Sequence, residues 1–196
     1  MSSLAFRTRH AIGLDAGKKS SPRQGGSLVE LVVSMAVILV GVLAFSRALT
    51  ESLALGARNR ETALATAAAQ GVVEQLYAAD ITRVFALYND DPDDDPDGTG
   101  SAPGASFVAA GLEPRAQDGG KQGRILFPVV AGNPAELRED LVDSKLRTPL
   151  DLDLDGAVDG GDHSANYRLL PVLVRVAWQD GTAQRELEVA TILGAR

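Results

Sequence analysis

The stretch that decides the fold is Gly26-Ser27-Leu28-Val29-Glu30 together with the apolar run that follows it, LVVSMAVILVGVLAF (31–45). Glu30 is the only ionisable side chain between Leu28 and Phe45. At about 1.5 Å of rise per residue, this segment spans roughly 27 Å as a helix, close to the hydrocarbon thickness of a bilayer. The pattern predicts a transmembrane helix over about 28–45.

The segment before this run is polar, basic and rich in serine and glycine. Before Gly26 a single acidic residue, Asp15, stands against five basic ones, namely Arg7, Arg9, Lys18, Lys19 and Arg23. Positively charged flanks of a membrane helix stay in the cytoplasm. We therefore predict a single-pass protein with a cytoplasmic N-terminus and the rest of the chain on the other side of the membrane.

Two ordinary interpretations of this N-terminus explain it incompletely. A secretory signal has an apolar stretch of about 7–15 residues that ends in a small-residue cleavage site, whereas here the helical pattern continues past Phe45. A plain membrane anchor leaves Glu30 unexplained, because a carboxylate near the start of an apolar helix is costly in lipid unless it is paired.

A third interpretation explains both features. The segment Arg23-Gln24-Gly25-Gly26-Ser27-Leu28-Val29-Glu30 resembles the signal of type IV prepilins and type II secretion pseudopilins. In that family a prepilin peptidase cuts after a glycine, methylates the new N-terminus, and finds a glutamate at the fifth mature position. The resemblance implies a cleaved leader over 1–25 and a cut between Gly25 and Gly26. It also implies that Glu30 is the glutamate at the fifth mature position.

The resemblance also implies a place in an assembly. Gly26 stands where main subunits carry a large apolar residue, and no proline occurs between Arg23 and Pro92, so the match favours a minor pilin or pseudopilin of the PilV or GspI kind. Its partners would be the prepilin peptidase, the bacterial inner membrane, and other pilin or pseudopilin subunits through the N-terminal helix. The head would be periplasmic, and on the cell surface after assembly into a pilus. In a filament, the Glu30 carboxylate would neutralise a neighbouring subunit's N-terminal ammonium.

The helix is predicted to continue to about residue 79. Apolar pairs recur every four residues, which is the period of an amphipathic helix; they are Leu64/Ala65, Ala68/Ala69, Val72/Val73 and Leu76/Tyr77. A coiled coil is the alternative, but the short, alanine-rich pattern favours packing against a sheet of the same chain. The predicted fold class is α+β: a long pilin-like helix over 26–79, membrane-spanning in its first half, packed on a small antiparallel head over 80–196.

Within the head, the clearest element is a C-terminal hairpin. Apolar residues alternate from Arg168 to Trp178, Asp180-Gly181 supplies the turn, and a return strand covers Ala183 to Leu193. The other predicted elements are an acidic loop over 89–106, a short strand at Phe107-Val108, an edge strand at Ile125–Val130 because Pro128 cannot donate to a ladder, and a short helix at Ala135–Leu146.

A twelve-residue acidic stretch has the spacing of a calcium loop. Its first, third, fifth, ninth and twelfth positions are carboxylates, Asp151, Asp153, Asp155, Asp159 and Asp162. Gly156 permits the sharp turn at the sixth position, and Ala157 offers a backbone carbonyl. We predict that calcium binds here, with a solvated acidic turn as the alternative. The segment Asp93–Gly98 begins with the same carboxylate spacing but lacks the later ligands, and we interpret it as a flexible acidic loop.

Composition excludes several function classes. The net charge of −7 argues against nucleic-acid binding, and the absence of cysteine excludes thiol chemistry. No catalytic motif is present, so we predict that the protein is not an enzyme. Of the two histidines, His10 lies in the leader and His163 is interpreted as a surface residue. The alternative function is a membrane-tethered calcium-binding module that does not polymerise.

Overall fold

A computed structural model describes residues 27–194. The chain divides into two compact units between Leu49 and Thr50. One long helix, α1 (Leu28–Ala78), crosses that boundary, and a second helix, α2 (Ile81–Tyr88), follows it. The prediction of one long helix that continues to about residue 79 is confirmed, and its C-terminal end differs by one residue.

The first unit contains the apolar half of α1. Every described residue from Ser27 to Arg60 has an exposed side chain, including the whole run from Leu28 to Phe45. By length and composition this helix is able to cross a membrane. The prediction of an apolar N-terminal helix of membrane-spanning length is confirmed.

Helix α1 ends where Asp80 starts a new helix. The Asp80 side chain accepts hydrogen bonds from the Thr82 backbone N–H at 3.0 Å and from the Thr82 hydroxyl at 2.9 Å, which caps α2. These hydrogen bonds lower the pKa of Asp80 below its ordinary value. Helix α2 buries Val84 and Phe85, and the sequence analysis did not predict it.

In the described part of the second unit, up to Gly194, there are six strands: β1 (Ser106–Phe107), β2 (Gly123–Leu126), β3 (Val129–Val130), β4 (Asn133–Leu137), β5 (Leu169–Asp180) and β6 (Ala183–Gly194). A four-stranded antiparallel sheet has the order β1-β2-β5-β6, and β3 pairs with β4 in a separate hairpin. A 3-10 turn at Ala116–Asp118 lies between β1 and β2. The α+β class and the small antiparallel sheet are thus confirmed.

The C-terminal hairpin forms as predicted, with a one-residue shift of its turn. Asp180 pairs with Ala183, so the loop residues are Gly181 and Thr182. Gly181 has a φ of +58°, a conformation that glycine adopts without strain.

Two predictions for the middle of the head are wrong. Ala135–Leu146 is not a helix, because its first residues belong to β4 and the rest is irregular. Ile125–Val130 is not one edge strand: β2 pairs with both β1 and β5, and Pro128 lies in the gap before β3. The proline interrupts the strand, as its missing N–H requires, but does not place it at the edge.

The core of the second unit joins the C-terminal half of α1 to the sheet. The buried residues of α1 are Ala65, Ala69, Val72 and Leu76, and those of β5 on the same cluster are Leu170, Val172, Val174, Val176 and Trp178. Side-chain hydrogen bonds link helix and sheet: Trp178 donates to the Glu61 carboxylate at 3.0 Å, and the Tyr77 hydroxyl lies 2.7 Å from that of Thr191 and 3.4 Å from the Ile192 carbonyl oxygen. The predicted apolar face of the helix is therefore the face that packs on the sheet.

Candidate functional site

The structure describes only part of the predicted processing signal. Gly25, Gly26 and the leader 1–25 lie outside the described residues. Glu30 lies in the first turn of α1 and is exposed. Its carboxylate therefore stands at the start of the exposed apolar surface, as the sequence analysis expects.

The acidic stretch 151–162 forms an irregular loop between β4 and β5. Asp151, Asp153 and Asp155 each present one carboxylate oxygen to a common point, with the three oxygens within 4.8 Å of one another. Short local hydrogen bonds shape this arrangement: Asp151 accepts from the backbone N–H of Leu154 at 2.6 Å and of Gly156 at 2.9 Å. Gly156 has a φ of +94°, so the turn uses the freedom of glycine at the predicted position.

The two later carboxylates of the predicted calcium loop have other partners. Asp159 accepts from the Gly161 N–H at 2.6 Å and contacts a ring nitrogen of His163 at 3.2 Å. Both interactions lower the pKa of Asp159, the Gly161 hydrogen bond more than His163. Asp162 accepts from the Leu137 N–H at 3.1 Å and so ties the end of the loop to β4. The described geometry brings together the first three carboxylates of the motif and gives Asp159 and Asp162 structural contacts.

A residue that the sequence analysis did not identify organises this loop. Glu139, two residues after the end of β4, is 1% exposed. It accepts hydrogen bonds from the backbone N–H groups of Leu152, Asp153 and Asp159 at 2.5, 3.3 and 3.3 Å. The helical pattern assigned to Ala135–Leu146 concealed it, and no local signal marks a carboxylate whose donors are more than ten residues away.

The prediction that His163 is a surface residue is wrong. Its side chain is 7% exposed, and carboxylates of Glu139, Asp153 and Asp159 lie within 3.6 Å of its ring nitrogens. Burial lowers the pKa of His163, but the hydrogen bond to Asp159 and the three negative charges outweigh it, and the net shift is upward. The buried side chains of His163 and Glu139 therefore form an ionisable cluster with carboxylates of the loop.

The other acidic loop, 89–106, is attached to its neighbours by side chains. Arg83 contacts Asp97 at 2.9 Å, Arg124 forms an ion pair with Asp90, and Asn89 donates to Asp94 at 2.7 Å. Within residues 27–194, the groups of three carboxylates or histidines close enough to share an ion lie in and under 151–163, and none is in this second loop.

No family model, curated protein or solved structure matches this chain.

Proposed function

We propose that this chain is a minor pilin or pseudopilin subunit that a prepilin peptidase processes and that assembles into a type IV pilus or a type II secretion pseudopilus. The observation that carries the proposal is Glu30. It is the one charge on an otherwise apolar, exposed helical stretch, and it follows a basic segment that ends in Gly25-Gly26. A simple membrane anchor does not need this carboxylate, which is costly in lipid when unpaired. In a filament the N-terminal ammonium of a neighbouring subunit would pair with it.

The shape of α1 supports the same proposal. Its first half presents apolar side chains all round, which suits lipid before assembly and neighbouring helices after it. Its second half packs on the antiparallel sheet of the head through Ala65, Ala69, Val72 and Leu76. In the proposed state the protein is anchored in the bacterial inner membrane with a cytoplasmic N-terminus and a periplasmic head.

Substituting Glu30 tests the proposal. We expect Glu30→Ala to remove the protein from sheared filaments while leaving it in the membrane, because an uncompensated ammonium is then buried in the filament core. Immunoblots of sheared and membrane fractions measure this in a host that carries the peptidase and the assembly machinery. Mass spectrometry of the unaltered membrane protein should find a methylated N-terminus at Gly26.

Two variants serve as controls. Gly25→Val should keep the leader, because a branched side chain obstructs close backbone approach at the scissile bond. Glu51→Ala removes another exposed carboxylate of α1 and should assemble normally. If Glu30→Ala enters the filaments as Glu51→Ala does, Glu30 has no role in assembly and the observation that carries the proposal is lost. If the unaltered protein and both variants are all confined to the membrane fraction, the protein is a tethered module that does not polymerise, and the assembly proposal fails.

We also propose that the loop 151–162 binds calcium. Asp151, Asp153 and Asp155 supply converging oxygens, and Ala157, Asp159 and Asp162 are the further ligands that the motif spacing predicts. A cation that binds only the folded state stabilises it by about 2.7 kcal/mol at a hundredfold excess over Kd. We expect a Kd on the order of 10⁻⁴–10⁻³ M, as in extracellular calcium modules, because Asp162 is shorter than the usual glutamate.

Thermal unfolding of the protein in detergent checks the calcium proposal. Millimolar calcium should raise Tm, and magnesium should raise it much less because it requires a tighter octahedral shell. Asp151→Asn with Asp155→Asn should abolish most of the shift. Asp93→Asn with Asp95→Asn removes the same charge from the other acidic loop and should preserve it. If Tm is equal in calcium and in chelator, the loop is only a solvated acidic turn and the calcium proposal fails.

A further inference from the structure

His163 is buried beneath the acidic loop and is held there by its backbone. Its N–H donates to the Leu137 carbonyl at 2.9 Å, and its own carbonyl accepts from the Tyr167 N–H at 3.2 Å. The backbone of His163 is therefore fixed between the end of β4 and the segment that leads into β5. From this position its side chain, 7% exposed, lies within 3.6 Å of the Glu139 and Asp153 carboxylates.

The hydrogen bonds determine which ring nitrogen carries the proton. Nε2 lies 3.2 Å from an Asp159 oxygen. An ionised carboxylate only accepts hydrogen bonds, so Nε2 is the donor in this contact. In a neutral imidazole the other nitrogen, Nδ1, then has a lone pair.

Nδ1 is buried and has no hydrogen-bond partner. The nearest charged group is the Asp153 carboxylate, with its Oδ2 at 3.6 Å. A lone pair facing a carboxylate oxygen is a repulsive arrangement that a cation between the two atoms would turn into an attractive one. This buried, unpartnered nitrogen is distinct from the exposed carboxylates of the loop.

One oxygen of Glu139, one oxygen of Asp153 and one ring nitrogen of His163 lie within 4.8 Å of one another. We propose that these three side chains bind a divalent transition metal ion, with Zn²⁺ as the best fit, at a second site beneath the calcium-type loop. Zinc takes imidazole nitrogen and carboxylate oxygen at about 2.0–2.2 Å, and three protein ligands leave a fourth position for water.

The donor set distinguishes this site from the calcium loop. Calcium binds oxygen ligands, whereas imidazole suits zinc, copper, iron and nickel. The contact between Nε2 and Asp159 has the form of the carboxylate–histidine–metal arrangement, in which the second ring nitrogen donates to a carboxylate and fixes the ring. Asp153 belongs to both groups, so the two ions would share this carboxylate.

The test uses the full chain, purified in detergent without a polyhistidine tag from a host that lacks prepilin peptidase. The protein is stripped with chelator and titrated with Co²⁺ in the presence of excess calcium, which occupies oxygen-only sites. We expect one equivalent of Co²⁺ to bind with visible d–d absorption bands that Zn²⁺ abolishes. His163→Gln should remove the bands and weaken Co²⁺ binding at least tenfold, since even loss of a supporting contact costs about 10–100-fold.

His10→Gln is the matched control, because these are the two histidines of the chain, and it should bind Co²⁺ like the unaltered protein. Zinc-edge X-ray absorption of the unaltered protein gives an answer that does not depend on the folding of a variant, and it should show one imidazole among oxygen ligands. An oxygen-only shell, or equal Co²⁺ binding by the two variants, overturns the proposal and identifies His163 as a buried imidazolium. Neither result bears on the assembly proposal, whose readout is the filament fraction.

Discussion

A fragment that starts at Thr50 should fold, whereas a fragment that starts at Asp80 should not. The sequence suggests a natural cut at residue 79, between helix and head. The structure places the boundary of the compact unit at Thr50 instead, and four buried residues of the head's core belong to α1: Ala65, Ala69, Val72 and Leu76. The shorter fragment loses all four together with the hydrogen bond from Trp178 to Glu61.

The burial energy that the shorter fragment loses is large compared with the stability of a domain. Burying one valine or leucine side chain contributes about 1.5–3 kcal/mol, and removing α1 also uncovers the buried face of β5, which carries Leu170, Val172, Val174, Val176 and Trp178. A whole domain is stable by only about 5–15 kcal/mol. Exposure of this face is therefore expected to consume the entire stability of residues 80–196.

Trp178 reports the result directly, because it is the single tryptophan of the chain and is 2% exposed. Its emission should be blue-shifted and should change cooperatively in urea for the fragment 50–196. In 80–196 it should resemble that of the unfolded chain. A fragment that starts at Glu61 removes only exposed residues of α1 and should match 50–196. Cooperative unfolding of 80–196 would show that the helix is not part of the core.

The elements that the sequence predicts well are those whose partners are close in sequence or whose pattern is long. Helix α1 has a continuous apolar run followed by apolar pairs that recur every four residues. The hairpin β5–β6 combines a long apolar first strand with a glycine at the turn. In both cases local propensity and burial favour the same structure. The α+β class follows from these two elements.

The errors occur where distant segments supply the hydrogen bonds. The stretch that begins Ala135-Glu136-Leu137-Arg138 has helical composition, yet Arg138 N–H donates to the Pro128 carbonyl and Leu137 N–H to the Asp162 carboxylate. Those partners override helical propensity. The same long-range contacts explain why the sequence analysis missed Glu139 and misplaced His163 at the surface, although the acidic stretch 151–162 does form a loop.

Glu139→Ala should cause the largest loss of stability of any single substitution in the loop region. The Glu139 carboxylate is almost fully buried and accepts from three backbone N–H groups. Each buried donor left without an acceptor costs about 1–3 kcal/mol. We expect the free energy of unfolding to fall by about 3 kcal/mol or more, because the buried hydrogen bond from the Leu152 N–H and the two partly buried ones from Asp153 and Asp159 lose their acceptor.

An opposing effect exists but is smaller. Glu139 lies close to the carboxylates of Asp153 and Asp159, so its removal relieves some like-charge repulsion. His163 lies within 3.6 Å of all three carboxylates, and its protonated form would offset part of that repulsion. The Leu152 N–H lies in a buried hydrogen bond and has no such compensation once its acceptor is removed. The lost hydrogen bonds therefore outweigh the relieved repulsion, and Glu139→Ala should lower the free energy of unfolding.

Urea unfolding of the fragment 50–196, followed by Trp178 emission, measures the effect. Chelator in every sample keeps metal binding out of the comparison. Glu139→Gln retains one acceptor oxygen but turns an amide N–H₂ towards a backbone donor, so its loss should be intermediate. Glu136→Ala, three residues earlier, removes a partly exposed carboxylate that contacts Arg138 and should leave the urea midpoint nearly unchanged. If Glu139→Ala matched Glu136→Ala, the loop would be supported by its own turns, and the buried carboxylate would have no structural role.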